Sequence, residues 1–329
     1  MQAQLIALDW GTTSLRAYLL GVAGQVLNMR TMACGIMQLT STPRVIAGAW
    51  CTDNFELAFD QACGDWLASN PGISVIACGM IGSAQGWREV PYLPTPATLA
   101  SLCDGLYSVR SVQGVDVHIV PGVIEYSALP NVMRGEETQV LGVLHSHKHL
   151  NHCLIGLPGS HSKWVQTVDG CLMHFDTFMT GELFAAACEH TILGRTQRPC
   201  EQFEQAAFER GVHVALSPEG RLGPLSTLFS ARTLGLTGQL SAQQQADYVS
   251  GLLIGHEIAA LRGAVLAEQG EHPIPDIMLI GNEQLCERYR LALSAGGFTH
   301  VTRAEHATEH GLWHLAQAAG LLLHPELEG

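Results

Sequence analysis

The 329-residue sequence has few basic side chains and almost no lysine. Lys and Arg together number 17 against 30 Asp and Glu, so the formal net charge is −13. Only Lys148 and Lys163 are lysines. A surface that binds polyanions needs a basic surplus, because contacts with phosphate charge dominate such binding. The composition therefore argues against nucleic acid and anionic membranes as partners.

Other absences argue against a membrane protein and against a secreted, disulfide-bonded protein. No uncharged apolar run reaches the roughly 18 residues that a membrane span needs. The N-terminus, MQAQLIALDW, lacks the basic region of a secretory signal. The ten cysteines are scattered singly without a CxxC pair, which is typical of reduced thiols in a cytosolic protein. These features predict a soluble cytoplasmic protein, and the length favours two domains.

Two common nucleotide motifs are also missing. No GxxxxGK[ST] is present, so a P-loop NTPase is disfavoured, and no GxGxxG follows a predicted strand. What is present is a strand–turn–strand pattern that occurs twice, near residues 4–33 and 152–178. The repeat predicts two related α/β domains, 1–145 and 146–329, facing a central cleft. The segment His145–His152 at the boundary is rich in histidine and predicts a polar turn rather than a metal site.

Apolar periodicity and capping residues predict the individual elements. Asp53 with Glu56 has capping-box spacing at a helix start, and so has Ser241 with Gln244. The predicted strands are 4–9, 15–21, 25–33, 73–78, 116–120 and 277–281. The predicted helices are 54–69, 135–145, 181–193, 199–210, 241–269, 283–295 and 305–323.

The turn after the first strand carries groups suited to phosphate and metal. Asp9 ends the strand and could hold Mg²⁺, which keeps much of its water shell and binds few protein carboxylates. Gly11 lets the backbone approach an anion, and Thr12 and Thr13 offer hydroxyl and amide donors. An ordinary hairpin turn with an Asp cap is the alternative.

The run DWGTTSLRAYLL resembles the first phosphate loop of sugar kinases in the actin/hexokinase/Hsp70 superfamily. Arg16 matches an Arg that glycerol-kinase-like members direct at the transferred phosphoryl group. The rest of the chain resembles the 2-dehydro-3-deoxygalactonokinase family within that superfamily. The similar segments are ACGMIGSAQGWREVPYLPTPA, IVPGV, NVMRGEETQVLG, LPGSHSKWVQ, FMTGELF and VSGLLIGHEIA. The resemblance implies two actin-like ATPase (ribonuclease H-like) domains, with ATP as co-substrate and Mg²⁺ as cofactor.

The resemblance also assigns a second phosphate loop. Leu157–Lys163 lies where the superfamily has this loop, with Gly-Ser-His-Ser-Lys in place of the usual Gly-Thr-Gly. Its amides, hydroxyls, imidazole and cation suit the β- and γ-phosphates and the charge that develops during transfer. The candidate groups belong to Gly159, Ser160, His161, Ser162 and Lys163. Gly281, in LIGN at 279–282, matches the turn that contacts adenosine.

The catalytic base is expected near the start of the helix at 135–145. In glycerol-kinase-like enzymes the base is the Asp of a Gly-Asp-Gln, and here Arg134-Gly135-Glu136-Glu137 holds that position. Glu136 is the predicted base and Glu137 the alternative. Two acidic residues in a first helical turn can also serve the helix dipole alone.

A 2-keto-3-deoxy sugar acid presents a carboxylate, a carbonyl and several hydroxyls. Arg is the expected carboxylate partner, since its planar fork binds bidentately. Trp87 and Tyr92 could pack on the carbon face of the sugar, and Glu89 could accept hydrogen bonds from its hydroxyls. Glu182 lies at a predicted helix start, which favours anions. The substrate-binding candidates are Arg88, Arg134, Trp87, Tyr92, Glu89 and Glu182.

The resemblance implies ATP-dependent phosphorylation of 2-dehydro-3-deoxy-D-galactonate at its terminal hydroxyl, giving the 6-phosphate in galactonate catabolism. Glu136, Arg16 and Lys163 are the predicted catalytic residues. A kinase for another sugar acid or ketose is the first alternative. A non-catalytic nucleotide or sugar sensor on the same fold and a polyphosphatase are the others. The expected partners are the sugar acid and ATP, and a homodimer remains open.

Overall fold

The computed structural model describes residues 2–39, 42–147, 150–269 and 275–322. Lys148 and His149, within the predicted polar turn, therefore lie outside the described residues. The chain forms two compact units. The first contains the chain through Asn151, Val165–Phe175 and the residues from Glu305 onward; the second contains His152–Trp164 and Asp176–Ala304. No helix in the described ranges has the length and apolar character to cross a membrane.

The described residues form sixteen strands and ten α-helices. The strands are β1 (Leu5–Trp10), β2 (Leu15–Leu20), β3 (Val26–Met32), β4 (Arg44–Ile46), β5 (Ala49–Cys51), β6 (Ser74–Cys78), β7 (Leu93–Pro94), β8 (Tyr107–Arg110), β9 (Asp116–Ile119), β10 (Val123–Glu125), β11 (Asn131–Met133), β12 (His152–Leu157), β13 (Ser162–Val168), β14 (Cys171–Phe178), β15 (Asp276–Ile280) and β16 (Val301–Ala304). The helices are α1 (Asn54–Ser69), α2 (Leu99–Asp104), α3 (Glu136–Ser146), α4 (Thr180–His190), α5 (Gln205–Leu216), α6 (Pro224–Thr227), α7 (Phe229–Leu236), α8 (Gln245–Gln269), α9 (Glu283–Ala295) and α10 (Ala307–Ala318).

The two largest sheets share one strand order. The first runs β3-β2-β1-β6-β9-β8, and the second runs β14-β13-β12-β15-β16. In the first sheet β1, β2 and β3 are antiparallel neighbours, whereas β6 is parallel to both β1 and β9. In the second sheet β15 is likewise parallel to β12 and β16. The predicted repeat of a strand–turn–strand start is therefore confirmed, because both sheets place the fourth strand beside the first.

Each unit has its own apolar core. The core of the first unit includes Leu8 and Trp10 of β1 and Phe59 of α1. The core of the second includes Phe208 of α5 and Ile258 of α8. Such buried aromatic and branched side chains supply most of the stabilisation that holds a sheet against its helices.

Helices α3 and α10 pack in unusually close contact within the first unit. A Cβ added to Gly142 would lie 1.9 Å from the Ala307 carbonyl oxygen, and one added to Gly311 would lie 2.0 Å from that of Thr138. Only glycine allows the two backbones to approach in this way. Through this contact the chain from Glu305 onward belongs to the first unit. A single division of the chain near residue 145 would have assigned it to the second. The domain boundary at 145/146 itself stays a prediction.

Most predicted elements are confirmed, and the errors have local causes. Helix α9 has the predicted bounds, and the Asp53 carboxylate caps α1 by accepting from the amides of Phe55 and Glu56 at 2.8 and 3.0 Å. The Glu56 side chain accepts from the Val112 amide instead of completing the capping box.

Two predicted helix starts in the second unit were wrong. The helix predicted at 199–210 is α5, Gln205–Leu216, and the helix predicted from 241 begins at Gln245. The Ser241–Gln244 hydrogen bonds do form, in the turn before α8.

Candidate active site

The turn between β1 and β2 presents exposed threonines on a fixed backbone. The Gly11 amide donates to the Ser14 carbonyl at 2.9 Å, which closes the turn. Gly35 lies directly behind it, since a Cβ at Gly35 would be 2.3 Å from the Thr12 carbonyl carbon. Thr12 and Thr13 are exposed. The predicted first phosphate loop is therefore a tightly backed turn whose hydroxyls reach solvent.

Asp9 and Arg16 are cross-strand neighbours beside this turn. They pair in the β1–β2 register, and Arg16 Nη1 donates to Asp9 Oδ2 at 3.2 Å. Burial raises the pKa of Asp9 above its usual value, although the Arg16 charge and hydrogen bond act in the opposite direction. The Asp9 carboxylate thus lies in a poorly solvated position where an added cation would stabilise it.

Two glycines bring the start of α3 against the carboxyl ends of β1 and β6. A Cβ at Gly79 would lie 2.8 Å from the Trp10 carbonyl oxygen, and a Cβ at Gly135 would lie 3.2 Å from Gly79 Cα. Both glycines have positive φ, +92° and +109°. Cys78, which ends β6, experiences the charges of Asp9 and of Glu137. The predicted metal ligand and the predicted base region therefore lie together in the first unit.

The adjacent glutamates Glu136 and Glu137 differ in environment. Glu137 is fully buried, and its carboxylate accepts from the Gly135 amide at 2.7 and 3.0 Å and from Thr138 Oγ1 at 3.0 Å. Burial, with the nearby Glu136 charge, raises the pKa of Glu137 to about 7. Glu136 is only half-buried, and its Oε2 accepts from the Arg134 amide at 3.0 Å. Glu136 is the member of the pair that is open to solvent.

Arg134 is a buried cation with unused donors. Its side chain is 8% exposed, and Nη2 donates to the Val90 carbonyl at 2.7 Å. The guanidinium carbon lies 4.2 Å from the centre of the Tyr92 ring. Within the described residues, Nε and Nη1 have no hydrogen-bond partner. Buried polar groups are normally paired, so these two atoms mark a place where an anionic ligand would be stabilised.

The neighbouring substrate-binding candidates lie in different surroundings. The Trp87 ring stacks on Phe55 with centroids 6.2 Å apart and 8° between the planes, and it also packs against Phe59. Arg88 is exposed, and its Nη2 donates to the Tyr107 hydroxyl at 3.2 Å. Glu89 is exposed. Trp87 therefore belongs to an aromatic cluster, whereas Arg88 and Glu89 lie at the surface.

The second predicted phosphate loop packs on the first turn of α4. A Cβ at Gly181 would lie 2.4 Å from the Gly159 carbonyl oxygen, and the Glu182 amide donates to the Ser160 carbonyl at 3.0 Å. The Glu182 carboxylate and the His161 imidazole share a hydrogen bond. Ser160 and His161 are exposed. Glu182, predicted to bind the sugar acid, thus lies with the nucleotide-loop residues of the second unit.

The last two residues of the loop are buried at the start of β13. Ser162 is 1% exposed and shares a 2.7 Å hydrogen bond with the Tyr289 hydroxyl. Lys163 is 6% exposed, and its Nζ donates to Thr177 Oγ1 at 2.8 Å. The exposed part of the loop is therefore the turn at residues 159–161.

Sequence reasoning missed a buried carboxylate beneath this loop. Glu257 of α8 accepts from Trp164 Nε1 at 2.7 Å, from the Tyr289 hydroxyl at 2.8 Å and from Thr180 Oγ1. It is the acidic residue in the otherwise uncharged stretch YVSGLLIGHEIAAL at 248–261. A glutamate among apolar helix residues is rarely buried without partners, so this pattern was a usable signal.

Gly281 lies at the carboxyl end of β15, near the second loop. Its φ is +155°, and a Cβ there would lie 3.6 Å from the Pro158 carbonyl oxygen. The next residue, Asn282, caps α9 by accepting from the amides of Gln284 and Leu285. Asn282 therefore serves as the N-cap of α9 directly after Gly281.

A cavity of about 1110 Å³ opens in the second unit beside this turn. Its lining includes Leu279, Glu283, Cys286 and Arg303. The volume is sufficient for a nucleoside.

The predicted site residues thus form two groups, one in each unit. The group in the first unit contains Asp9, Gly11, Thr12, Thr13, Arg16, Trp87, Arg88, Glu89, Arg134 and Glu136. The group in the second unit contains Gly159, Ser160, His161, Ser162, Lys163, Glu182 and Gly281. Within the described residues, no cluster of three or more His, Cys, Asp or Glu side chains could hold a metal ion.

Comparisons with known proteins agree on one family. The family model described as 2-keto-3-deoxy-galactonokinase matches residues 9–315. A probable 2-dehydro-3-deoxygalactonokinase of Rhizobium meliloti strain 1021 is 33% identical over 314 residues, covering 95% of this chain and 96% of its own length. The 2-dehydro-3-deoxygalactonokinase of Escherichia coli K12 is 33% identical over 303 residues, covering 90% and 91%.

A solved structure extends the similarity to the fold. The crystal structure of a Sinorhizobium meliloti protein, proposed to be a 2-dehydro-3-deoxygalactonokinase, matches with a TM-score of 0.80 and 33% identity. The match covers 95% of this chain and 98% of that one. Together with the repeated strand order, this similarity confirms the predicted α/β fold of actin-like ATPase domains. The chain belongs to the 2-keto-3-deoxy-galactonokinase family, as its sequence motifs predicted.

Proposed function

We propose that this protein is a cytoplasmic sugar-acid kinase that transfers the γ-phosphoryl group of ATP to the terminal hydroxyl of 2-dehydro-3-deoxy-D-galactonate. The product would be the 6-phosphate. Family membership supports the reaction class and the substrate. The carrying observation is that the end of β1, which holds Asp9 at the first phosphate loop, lies beside the start of α3, which holds Glu136 and Glu137. A carboxylate for a metal and a carboxylate for a hydroxyl proton are the two groups that this reaction needs at one place.

Glu136 would accept or steer the proton of the attacking hydroxyl. Its half-buried carboxylate can reach a ligand, whereas that of Glu137 is enclosed and hydrogen-bonded to Gly135 and Thr138. The hydrogen bond from the Arg134 amide fixes the orientation of the Glu136 side chain. A base fixed in this way can hold the hydroxyl in line with the phosphoryl group, which is most of what the protein must supply.

The nucleotide would bind to the second unit. The exposed turn at 159–161 is suited to the β- and γ-phosphates through its backbone amides. The cavity bordered by Leu279 and Glu283 is suited to the nucleoside, since both residues flank the turn at Gly281. Lys163 would act from its buried position on β13 as a fixed positive charge.

The residues of the first loop fit a Mg²⁺ ion. Mg²⁺ is commonly bound through one or two carboxylates, with water and substrate phosphates completing its shell. Asp9 offers one such carboxylate, and burial raises its pKa, so a cation would offset the cost of its ionisation. When bound, the ion would neutralise charge on the phosphates. Arg16, about half exposed and already held by Asp9, would add a second positive charge at the transferred group.

Arg134 would bind the substrate carboxylate. Its buried guanidinium has two donors, Nε and Nη1, without a partner among the described residues. An ionised carboxylate would pair both donors and balance the buried charge. Arg88 is the weaker candidate, because it is exposed and already donates to Tyr107.

The direct test is an ADP-release assay with and without the sugar acid. We expect ADP release to require 2-dehydro-3-deoxy-D-galactonate, and phosphorus NMR of the product should place the phosphate on the terminal oxygen. A panel of other sugar acids and ketoses would identify a different acceptor. Equal ADP release without any acceptor would refute the kinase and favour a hydrolase. ATP binding without ADP release on any acceptor would favour a sensor.

The assignment of the base has its own test. Glu136→Gln should lower kcat by about 10²- to 10⁴-fold, since general bases contribute rate factors of this size. Glu189→Gln, on the exposed surface of α4, is the matched control and should keep the wild-type kcat. A wild-type rate in Glu136→Gln would exclude Glu136 as the base.

A further inference from the structure

A buried hydrogen-bond network lies beneath the second phosphate loop. Its centre is Glu257, which is 2% exposed and accepts from Trp164, Thr180 and Tyr289. Burial raises the pKa of Glu257, and these hydrogen bonds counter that shift. The fifth member of the network is Ser162, which is hydrogen-bonded to the Tyr289 hydroxyl at 2.7 Å. All five side chains belong to the second unit.

When the Glu257 carboxylate is ionised, the proton count sets the direction of each hydrogen bond in the network. The Trp164 indole can only donate, so Glu257 Oε1 must accept from it. The Tyr289 hydroxyl has one proton, which it donates to Glu257 Oε2. Ser162 must therefore donate its own proton to the Tyr289 oxygen. Ser162 then has no proton left to donate in a hydrogen bond to a phosphate oxygen.

The same carboxylate connects the two elements that frame the exposed turn. It bonds Trp164 of β13 directly and reaches Ser162, the first residue of β13, through Tyr289. It also bonds Thr180, the first residue of α4. The residue after Thr180 is Gly181, where an added Cβ would lie 2.4 Å from the Gly159 carbonyl oxygen. A change at Glu257 would therefore shift both sides of the 159–161 turn.

We propose that Glu257 is a positioning residue for ATP, which holds the turn at 159–161 against α4 and keeps Ser162 as a donor to Tyr289. This inference rests on the proposed function, since it takes that turn to bind the phosphates. It deepens the proposal by assigning Ser162 a supporting role instead of a direct phosphate contact.

A double-mutant cycle separates the two roles of Ser162. The full-length variants Tyr289→Phe, Ser162→Ala and the double variant are titrated with ATP by calorimetry. Each single variant should weaken ATP binding by about tenfold, the cost of one buried hydrogen bond. The double variant should be no weaker than the worse single variant, because both changes remove the same link. If Tyr289→Phe binds ATP normally while Ser162→Ala does not, Ser162 contacts the phosphate directly and the proposal fails.

Glu257→Gln tests the centre of the network. Its amide nitrogen cannot accept from a donor, so we expect KM for ATP to rise at least tenfold while KM for the sugar acid stays within about threefold. Glu56→Gln, a buried carboxylate of the first unit that accepts from the Val112 amide, controls for lost stability and should leave both KM values unchanged.

An equal rise in both KM values for Glu257→Gln would contradict a positioning role. If Glu257→Gln does not fold, the cycle with Tyr289→Phe still decides the question. The ATP titrations need no acceptor, so they stay informative if the proposed sugar acid is not the substrate.

Discussion

Replacement of the buried carboxyl of Glu137 should remove the pH dependence that this residue gives to stability. Its side chain is completely enclosed and is held by Gly135 and Thr138. Burial raises the pKa of Glu137 from its usual value of 4.5 to about 7. The folded protein therefore keeps this carboxyl protonated at pH values where the unfolded chain has already ionised it.

The magnitude follows from the difference between the two pKa values. Below pH 4.5 both states of the chain are protonated, and Glu137 imposes no penalty. Between pH 4.5 and about 7 the unfolded chain releases its proton first, so the free energy of unfolding falls as the pH rises. Above pH 7 the full penalty applies, and at about 1.4 kcal/mol per pKa unit it amounts to roughly 3 kcal/mol.

Glu137→Gln should remove this penalty and keep the size of the side chain. Measured by urea unfolding, the variant should gain roughly 2–3 kcal/mol over wild type between pH 5 and pH 8. Glu189→Gln, an exposed carboxylate on α4, gives the baseline. A stability difference that does not change with pH would refute the reasoning. The kcat of Glu137→Gln should stay within tenfold of wild type, and a 10²-fold loss would transfer the role of base from Glu136 to Glu137.

Two further predictions concern packing and substrate recognition. Gly142→Ala should destabilise by at least about 2 kcal/mol, because its Cβ would lie 1.9 Å from the Ala307 carbonyl oxygen. Gly263→Ala, in α8 with nothing within 4 Å of the added Cβ, should instead raise the free energy of unfolding by up to about 1 kcal/mol. Equal melting temperatures for the two variants would contradict the close packing of α3 on α10. Arg134→Gln should raise KM for the sugar acid about 10- to 100-fold, since a hydrogen bond to a charged group contributes about 1.5–3 kcal/mol. Arg88→Gln should change that KM less than threefold, and the reverse order would move the carboxylate contact to Arg88.

Elements with a strong local signal could be predicted from the sequence. Helix α1 has an Asp cap, and α9 has an Asn cap after an apolar strand, so both were predicted at or within one residue of their bounds. Strand β16, Val301–Ala304, was missed because its burial pattern does not alternate and three of its four residues are not fully buried. The start of α5 was predicted six residues too early, and no side-chain cap marks its true first turn at Gln205.

The contact between α3 and α10 could not be predicted from local patterns. Gly142 and Gly311 each look like weak points in a helix, because glycine lowers helix propensity. Their role is visible only when the two helices are brought together, where each glycine admits the backbone of the other helix. The two residues are 169 positions apart in sequence, and no local pattern of a single sequence records such a pairing.

The burial of the site residues also could not be predicted from the sequence. The string LPGSHSKW contains turn residues up to Ser162, so Ser162 and Lys163 were expected to face a phosphate together with the turn. In the structure both are buried, and Ser162 is covered by Tyr289, which lies 127 positions further along the chain. A motif identifies which residues belong to a loop, whereas the distant helices decide which of their polar atoms remain available. For this reason the chemistry of the second loop is better sought in the amides of its exposed turn than in the hydroxyl of Ser162.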